Sequence, residues 1–287
     1  MIRLDGKQLI TEPKAVASKD MQGITAKAWN SAAVARLVPI DLSRLKALAA
    51  SLERMLDDPQ IDLFVGGDRP DFAYRLDIVS RIILMAREVD GQYFAMQRYV
   101  ESASGRLYGK DINLQTVPRS IKEMALHGFW EYDFENCHYS IIHQMALKIG
   151  LNCDAIAHYL ANKREIRTRI QMDIGISPEQ AKTCLISLIY GARFSHREED
   201  AIPSAIGIEA AQRIYQHPFF NQLKEDIRQA RSKIIAAWPR SRRRLQNDYG
   251  KWIRESDTAA QILAHLLQGV EAKMLETVRK LYPDDIL

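Results

Sequence analysis

The chain has 287 residues, 47% of them hydrophobic and 26% charged, and a formal net charge of +4, a balance that predicts a globular protein with a sizeable core. No apolar run reaches the roughly 18 residues that span a membrane, and the N-terminal MIRLDGKQLITEPK lacks a signal-peptide core, so we expect no membrane partner. Three dispersed cysteines, Cys137, Cys153 and Cys184, argue against a disulfide framework or a zinc cluster and favour a reducing cytoplasm.

The first hundred residues predict an arm followed by helices. Residues 1–40 show no sustained hydrophobic periodicity, which predicts an arm or a small cap. From Asp41, a candidate N-cap, apolar residues recur every three or four positions as far as Leu56, which predicts a helix. The turn-rich residues 57–70 end it. A second helix is expected from Asp71 to Val89.

A carboxylate marks the junction between a predicted strand and a predicted helix. Phe129–Tyr132 is short and aromatic and fits a β-strand, whereas Ser140–Leu147 has helical spacing. Asp133 lies between them. It is suited to holding a divalent metal, because Mg²⁺ prefers one or two carboxylates together with substrate phosphates. The alternative is that Asp133 caps the helix.

Two further helices carry positive charge. Asp154–Met172 is a basic amphipathic segment, which forms either a solvated face or a cationic wall for a triphosphate or template. In Ser177–Ala192, Ser177 is a candidate N-cap followed by Pro178. Lys182, Ile186, Ile189 and Tyr190 then recur at helical spacing. An ammonium beside an aromatic ring suits a nucleotide. The alternative is a core tyrosine with a lysine whose stem crosses the apolar surface.

The C-terminal part contains the most basic stretch of the chain. Helices are expected around Glu209–Tyr215 and Phe219–Ala237, and a last helix over Thr258–Leu281. Between them lie four arginines within five residues, flanked by Trp238 and Tyr249. This stretch is either a phosphate-tracking site or a solvated turn.

Several short motifs follow one another in a distinctive order. They are Gly105-Arg106-Leu107, then Asn113-Leu114-Gln115 with Pro118 and Arg119, then a predicted strand ending in Asp133. This order resembles the GRL…NLQNIP…R and motif A of family A DNA polymerases. Lys182 with Tyr190-Gly191 has the spacing of motif B, which single-subunit phage-type RNA polymerases share. The segment from His265 to Lys273 resembles the family's QGxxAD helix, with Gln268 in the place of its glutamine.

The resemblance implies an α+β, mainly helical polymerase right hand, with a palm sheet and fingers-like and thumb-like helices. Residues 1–100 would form an N-terminal arm and a thumb-like helical region, and 101–150 a palm with motif A. Residues 151–237 would form a fingers-like helical region with motif B. The basic segment and a palm helix leading towards motif C would occupy 238–287.

The implied activity is template-directed nucleotidyl transfer, in which a primer 3′-hydroxyl attacks a nucleoside triphosphate with Mg²⁺ in a two-metal site. Asp133 would be the metal ligand, and Lys182 would be catalytic by neutralising phosphate charge. The implied nucleotide-binding residues are Tyr190, Gly191, His138, Arg164 and Arg167. The implied nucleic-acid contacts are Arg106, Gln115, Arg119, Gln268, Arg240, Arg242, Arg243 and Arg244. The expected partners are a DNA primer-template, nucleoside triphosphates and replication proteins.

Three features depart from the family pattern. His138 stands where DNA polymerases hold a glutamate that excludes the ribose 2′-hydroxyl and RNA polymerases hold a glycine, so the sugar preference stays open. Pro178 replaces an arginine of motif B. The second metal-binding aspartate, in motif C, is expected a few residues beyond Leu287, and without it the chain would bind nucleotide or nucleic acid but be inactive.

The alternatives come from different classes of protein. One is a single-subunit RNA polymerase or a primase-like enzyme, of a phage or a mobile element. Another is a non-catalytic, palm-derived module that binds nucleic acid. The third is a helical interaction protein in which the motifs coincide by chance.

Overall fold

The computed structural model describes residues 33–58 and 69–281. These residues form eleven α-helices and six strands, so the predicted α+β, mainly helical class is confirmed. They divide into two compact units, of which the first holds the described residues up to Ser102 and Leu107–Asp133. The second holds Ala103–Arg106 and Phe134–Leu281. Most of the predicted arm, the centre of the turn-rich segment and residues 282–287 lie outside the described residues.

The first unit contains a four-stranded antiparallel sheet centred on β3 (Gln92–Glu101). β1 (Ala33–Pro39) pairs along β3, while β2 (Arg87–Val89) and β4 (Leu107–Lys110) pair with its two ends. The prediction for residues 1–100 was an arm and thumb-like helices, so β1, β2 and β3 were not foreseen there. The aromatic and β-branched residues of β3 favour a strand. The second helix was predicted to run to Val89, but it ends at Met85 and Arg87–Val89 form β2.

Three helices complete the first unit. Asp41 is the N-cap of α1, as predicted, and its Oδ1 accepts a hydrogen bond from the backbone N of Arg44 at 3.0 Å. Leu45, Ile82 and Ile121 are buried at the centre of the core. The helices are α1 (Leu42–Asp57), α2 (Arg69–Met85) and α3 (Arg119–Ala125).

The second unit is helical. Its helices are α4 (Cys137–Lys148), α5 (Asp154–Ala161), α6 (Lys163–Ile174), α7 (Pro178–Ile189), α8 (Ala201–Ile206), α9 (Ile208–Gln216), α10 (Pro218–Ala237) and α11 (Ala259–Leu281). The long helix α10 contacts α4, α5, α7, α9 and α11 through buried apolar side chains such as Phe220 and Ile227. A hairpin of β5 (Arg240–Ser241) and β6 (Arg244–Leu245) precedes α11.

Two predicted elements differ from the structure. The expected single helix over Asp154–Met172 is broken at Asn162, where φ is −123°. The side-chain Nδ2 and the backbone N of Asn162 both donate to the carbonyl oxygen of His158, at 3.1 and 3.0 Å. The expected strand Phe129–Tyr132 does not form. Within the described part of the chain no strand pairs with it, and an unpaired strand leaves its backbone groups unsatisfied.

The three cysteines are free thiols, and two of them are buried. None of the three cysteines forms a disulfide. Burial raises the pKa of the Cys153 thiol to about 11 and that of Cys184 to about 12, so both stay protonated core residues. Among the described residues, no helix combines the length and apolar character needed to cross a membrane.

Candidate functional site

Helix α7 begins at the predicted position. Ser177 is its N-cap, with a capping box in which the backbone N of Gln180 donates to Ser177 Oγ at 3.2 Å. The backbone N of Ser177 donates in return to Gln180 Oε1 at 2.8 Å. Because the start of the helix is fixed by local hydrogen bonds, the rotation of every later side chain on it is fixed as well.

One face of α7 is exposed and carries a cation and an aromatic ring. Lys182 is exposed, Ile186 is 39% exposed and Tyr190, at the C-cap, is 37% exposed. Tyr190 is therefore not the core residue of the alternative interpretation. Ile189 was expected on this face but is buried, because it lies at the edge of the apolar stripe formed by Leu185 and Leu188.

The exposed end of α7 meets the start of α4. The Tyr190 hydroxyl lies 2.6 Å from His138 Nδ1, and the two rings are edge-on with centroids 5.6 Å apart. Both residues were predicted to bind nucleotide. Since 52 positions separate them in the chain, their contact is a property of the tertiary structure.

A carboxylate and a guanidinium extend this contact into a chain of four polar groups. His138 Nε2 lies 3.2 Å from Glu271 Oε2 on α11, and Arg106 Nε lies 3.3 Å from the same oxygen. The side chains of His138 and Glu271 are only 13% and 14% exposed. We call Arg106, Glu271, His138 and Tyr190 the polar network.

Glu271 was not among the predicted site residues. It lies three positions after Gln268 on α11, close to one helical turn, and this spacing is the signal that could have pointed to it. Gln268 itself is half-buried on α11.

The neighbours of Glu271 in the polar network set the pKa of its carboxyl group. Burial acts to raise the pKa of Glu271, but the hydrogen bond from His138 and the charge of Arg106 outweigh it and the pKa is lowered. An ionised carboxylate can only accept hydrogen bonds, so His138 Nε2 donates to it. In a neutral imidazole Nδ1 is then the acceptor, and the Tyr190 hydroxyl donates to it. The negative charge of Glu271 thus orients Tyr190 through His138.

Cys137 adds a third ligand type beside the network. One ligand atom each of Cys137, His138 and Glu271 lies within 4.8 Å of the others. Thiolate and imidazole suit Zn²⁺ better than Mg²⁺. However, both ring nitrogens of His138 are engaged and the Arg106 cation lies beside Glu271, which disfavours a metal ion. We assign His138 and Glu271 to the polar network and not to a metal.

Asp133 is the last described residue of the first unit, and its side chain is exposed. It is not the N-cap of α4, since that helix begins at Cys137 and Asn136, with φ of 50°, is the N-cap. The carboxylate makes no hydrogen bond or ion pair to another residue in the ranges 33–58 and 69–281. It is therefore available to a cation.

The basic residues of α6 have separate roles. Arg167 Nη2 donates to the Tyr159 hydroxyl at 2.7 Å and lies 3.4 Å from Asn136 Oδ1, so this guanidinium fastens the start of α4. Lys163 pairs with Glu135. Arg164 is exposed and forms no ion pair with another residue in the ranges 33–58 and 69–281, so its guanidinium is open to a ligand.

The predicted residues of the first unit stabilise local structure. Gln115 Oε1 accepts from the backbone N of Gly109 at 2.6 Å, and its Nε2 lies 3.4 Å from the Leu107 carbonyl, so Gln115 ties its loop to β4. Arg119 pairs with Glu123 one turn along α3, at 2.7 Å, and remains largely exposed.

Gly191 allows the chain to turn sharply after Tyr190. Its φ is +81°, and a Cβ there would lie 2.5 Å from the Cβ of Ala260, so any side chain would collide. A depression of about 290 Å³ opens beside it, near the lower limit for small-molecule sites. It is lined by Ser187, Tyr190, Gly191, Ala192, Arg193, Asp200 and Ala201.

The structure thus brings together three predicted residues, Arg106, His138 and Tyr190, around the unpredicted Glu271. The four predicted arginines of the basic stretch lie on and beside the β5–β6 hairpin, all of them exposed. In comparisons with known proteins, no family model matches the sequence, and no curated protein matches it.

Proposed function

We propose that this protein is a template-directed nucleotidyltransferase resembling family A DNA polymerases, which adds nucleotides to a primer 3′-hydroxyl. The observation that carries the proposal is the 2.6 Å contact between His138 and Tyr190. The motif order assigns these two residues independently to one nucleotide site. A chance coincidence of two short motifs would not require them to touch.

The polar network gives Tyr190 a fixed orientation. The ring is partly exposed while its hydroxyl is held by His138, which is held in turn by Glu271. A fixed, exposed ring offers a stacking surface to a base or sugar at little cost in side-chain entropy. His138 lies beside it and, with both ring nitrogens engaged, fixes the position of the Tyr190 hydroxyl. These features suit the nascent base-pair pocket.

Lys182 supplies the positive charge at the other end of the same helical face. Eight residues of helix separate it from Tyr190, a rise of about 12 Å. This separation suits a nucleoside triphosphate lying along α7, with the base near Tyr190 and the phosphates near Lys182. The lysine would then neutralise charge as pyrophosphate departs.

Asp133 fits a Mg²⁺ site of the kind that substrate phosphates complete. Its carboxylate is exposed and without an internal partner in the described ranges, as a hard oxygen ligand for Mg²⁺ should be. When bound, the ion would stabilise charge on the transferred phosphate. We assign no second metal ligand.

The test is primer extension by the native full-length polypeptide with Mg²⁺ and either dNTPs or NTPs. Asp133→Asn should reduce incorporation by about 100-fold or more, because it removes a transition-state charge interaction while keeping the side-chain size. Asp90→Asn is the matched control. It removes an exposed carboxylate from the same unit, and asparagine tolerates the φ of 51° found there, so activity should be unchanged.

The nucleotide preference distinguishes the enzyme classes. His138 replaces the glutamate of DNA polymerases and the glycine of RNA polymerases, and this is the observation that favours testing an RNA polymerase or primase-like activity beside DNA synthesis. If the unmodified protein binds primer-template but incorporates neither dNTPs nor NTPs, the proposal is refuted and a non-catalytic binding module takes its place.

A further inference from the structure

A second surface of the helical unit concentrates positive charge. Residues 238–254 contain six basic side chains and one acidic side chain, Asp248, a formal charge of +5. The whole chain carries +4, so all other residues together carry −1. A charge this concentrated creates a local positive potential that the net charge of the protein conceals. We call residues 238–254 the basic meander.

The tip of its hairpin is built from two arginines in a strained conformation. Ser241 pairs with Arg244, which leaves Arg242 and Arg243 as a two-residue turn, with φ of 49° and 65°. Turns with positive φ at both positions favour Asn-Gly. Left-handed backbone at a residue other than glycine costs on the order of 1 kcal/mol or more, and such strain concentrates at functional sites. The turn therefore exposes two guanidinium groups at positions where asparagine and glycine would give a more stable backbone.

The hairpin arginines are exposed, and one of them contacts an aromatic ring. All four arginines of the hairpin region are exposed, and within the described ranges none forms an ion pair with a carboxylate. Arg244 instead lies over the ring of Trp252, with its Cζ 5.1 Å from the ring centroid. Trp252 is 42% exposed. The surface thus combines unpaired cations with an accessible aromatic face.

The rest of the meander is rigidly attached to the helices of the second unit. Leu245 and Ile253 are buried in its core, and the backbone N of Ile253 donates to the carbonyl of Leu245 at 3.0 Å. Asn247 is 4% exposed, donates through Nδ2 to the Ser104 carbonyl at 2.8 Å and accepts from the backbone N of Lys251 at 2.9 Å. Because successive side chains alternate in direction, burial of Ile253 turns Trp252 outward.

We infer that the basic meander binds single-stranded nucleic acid, with phosphates at Arg242 and Arg243 and an unpaired base stacked on Trp252. Guanidinium groups bind phosphate through charge-assisted, paired hydrogen bonds. Stacking on an exposed ring requires a base that is not already stacked in a duplex. ssDNA and RNA share both features. The inference extends the proposed function, in which these arginines contact nucleic acid, but it requires neither nucleotide nor metal.

The experiment measures binding of labelled single strands of about 16 nucleotides by fluorescence anisotropy, without nucleotide or Mg²⁺. The protein is the full chain, and the probes are DNA and RNA strands and the corresponding DNA duplex. We expect either single strand to bind more tightly than the duplex, and affinity to fall as salt rises from about 50 to 200 mM. The tighter of the two strands identifies the preferred sugar.

The principal variant is Arg242→Asn with Arg243→Gly, which removes both charges and restores the preferred turn residues. The slope of the logarithm of the binding constant against the logarithm of the salt concentration should become shallower by about 0.7 for each phosphate that the variant no longer neutralises. The melting temperature should not fall, because the variant carries the preferred turn residues. The control is Arg169→Gln with Arg228→Gln, which removes two exposed guanidiniums of the same unit that already pair with glutamates. Its affinity should stay close to that of the unmodified protein.

A second variant tests stacking separately from charge. Trp252→Ala should weaken binding by about 5- to 150-fold without changing the salt dependence, whereas Trp252→Phe should retain most of the affinity. The inference is overturned if the turn variant binds as the unmodified protein does, if the control loses as much affinity, or if the duplex binds as tightly as the single strands. Primer extension fails or succeeds independently of each of these results.

Discussion

Replacing Glu271 by glutamine isolates the charge at the centre of the polar network. Glutamine has nearly the same volume, and its Oε1 can still accept from His138 Nε2, so the packing of α11 and one hydrogen bond are retained. The substitution removes the negative charge that faces Arg106 at 3.3 Å. The guanidinium then remains partly buried with a neutral neighbour.

The magnitude follows from the exposure of the two partners. Breaking a fully buried ion pair costs about 3–5 kcal/mol, and a hydrogen bond to a charged group contributes about 1.5–3 kcal/mol. Arg106 is 32% exposed and Glu271 14% exposed, so water solvates part of the guanidinium that is left behind. We therefore expect Glu271→Gln to lower the free energy of unfolding by about 1–2 kcal/mol, or the melting temperature by about 2–8 °C.

The pH dependence of this difference has a definite sign. The pKa of Glu271 is lowered from its ordinary value of 4.5, so its stabilisation is fully present above pH 4.5 and is lost as the pH falls through the lowered value. Glutamine has no such group. The difference in melting temperature between the two proteins should be largest at neutral pH and should vanish in acid.

Thermal unfolding followed by circular dichroism over a pH series measures both quantities. Glu276→Gln on the same helix is the control, since its exposed pair with Lys280, at 2.9 Å, should contribute less than about 1 kcal/mol. The assigned charge interaction is wrong if Glu271→Gln and the unmodified protein have the same melting temperature at neutral pH. It is also wrong if the difference between their melting temperatures stays the same in acid.

Two further predictions concern residues that position the candidate surfaces. Gly191→Ala should lower the free energy of unfolding, measured with denaturant, by about 1–3 kcal/mol. Adding Ala260→Gly to the same chain should recover only part of this loss, because it removes the 2.5 Å clash but not the positive φ of residue 191. Full recovery would show that the backbone there is unstrained. Asn247→Ala should cost about 2–4 kcal/mol in the same assay, because the buried carbonyl of Ser104 and the partly buried backbone N of Lys251 lose their partner. A loss below about 1 kcal/mol would contradict the anchoring role.

The sequence predicted the helices that local signals define. Asp41 caps α1, Ser177 and Pro178 open α7, and the last helix runs to Leu281 as its apolar period indicates. These signals act within one or two turns, so they operate regardless of the rest of the chain. At Asn162, where a φ of −123° departs from helical geometry, the prediction of a continuous helix was wrong.

Strands required information that the sequence distributes over long distances. Ala33 pairs with Val100, so the existence of β1 depends on β3, more than sixty positions away. Phe129–Tyr132 has the residue types of a strand but no pairing partner among the described residues, and it stays irregular. A strand is stable only when a neighbour satisfies its backbone hydrogen bonds, and residue type alone does not say whether one is present.

For the candidate site, the sequence alone determined which chemical groups were available and in what order. The order of motifs selected Arg106, His138 and Tyr190 before any contact between them was known. Their contacts depend on the folded chain: Arg106 and His138 meet at Glu271, which is 133 positions from His138, and Tyr190 contacts His138. It likewise gave Arg167 a structural partner in Tyr159. The physical reason is that side-chain hydrogen bonds act over about 3 Å in space, and spacing along the chain does not fix that distance.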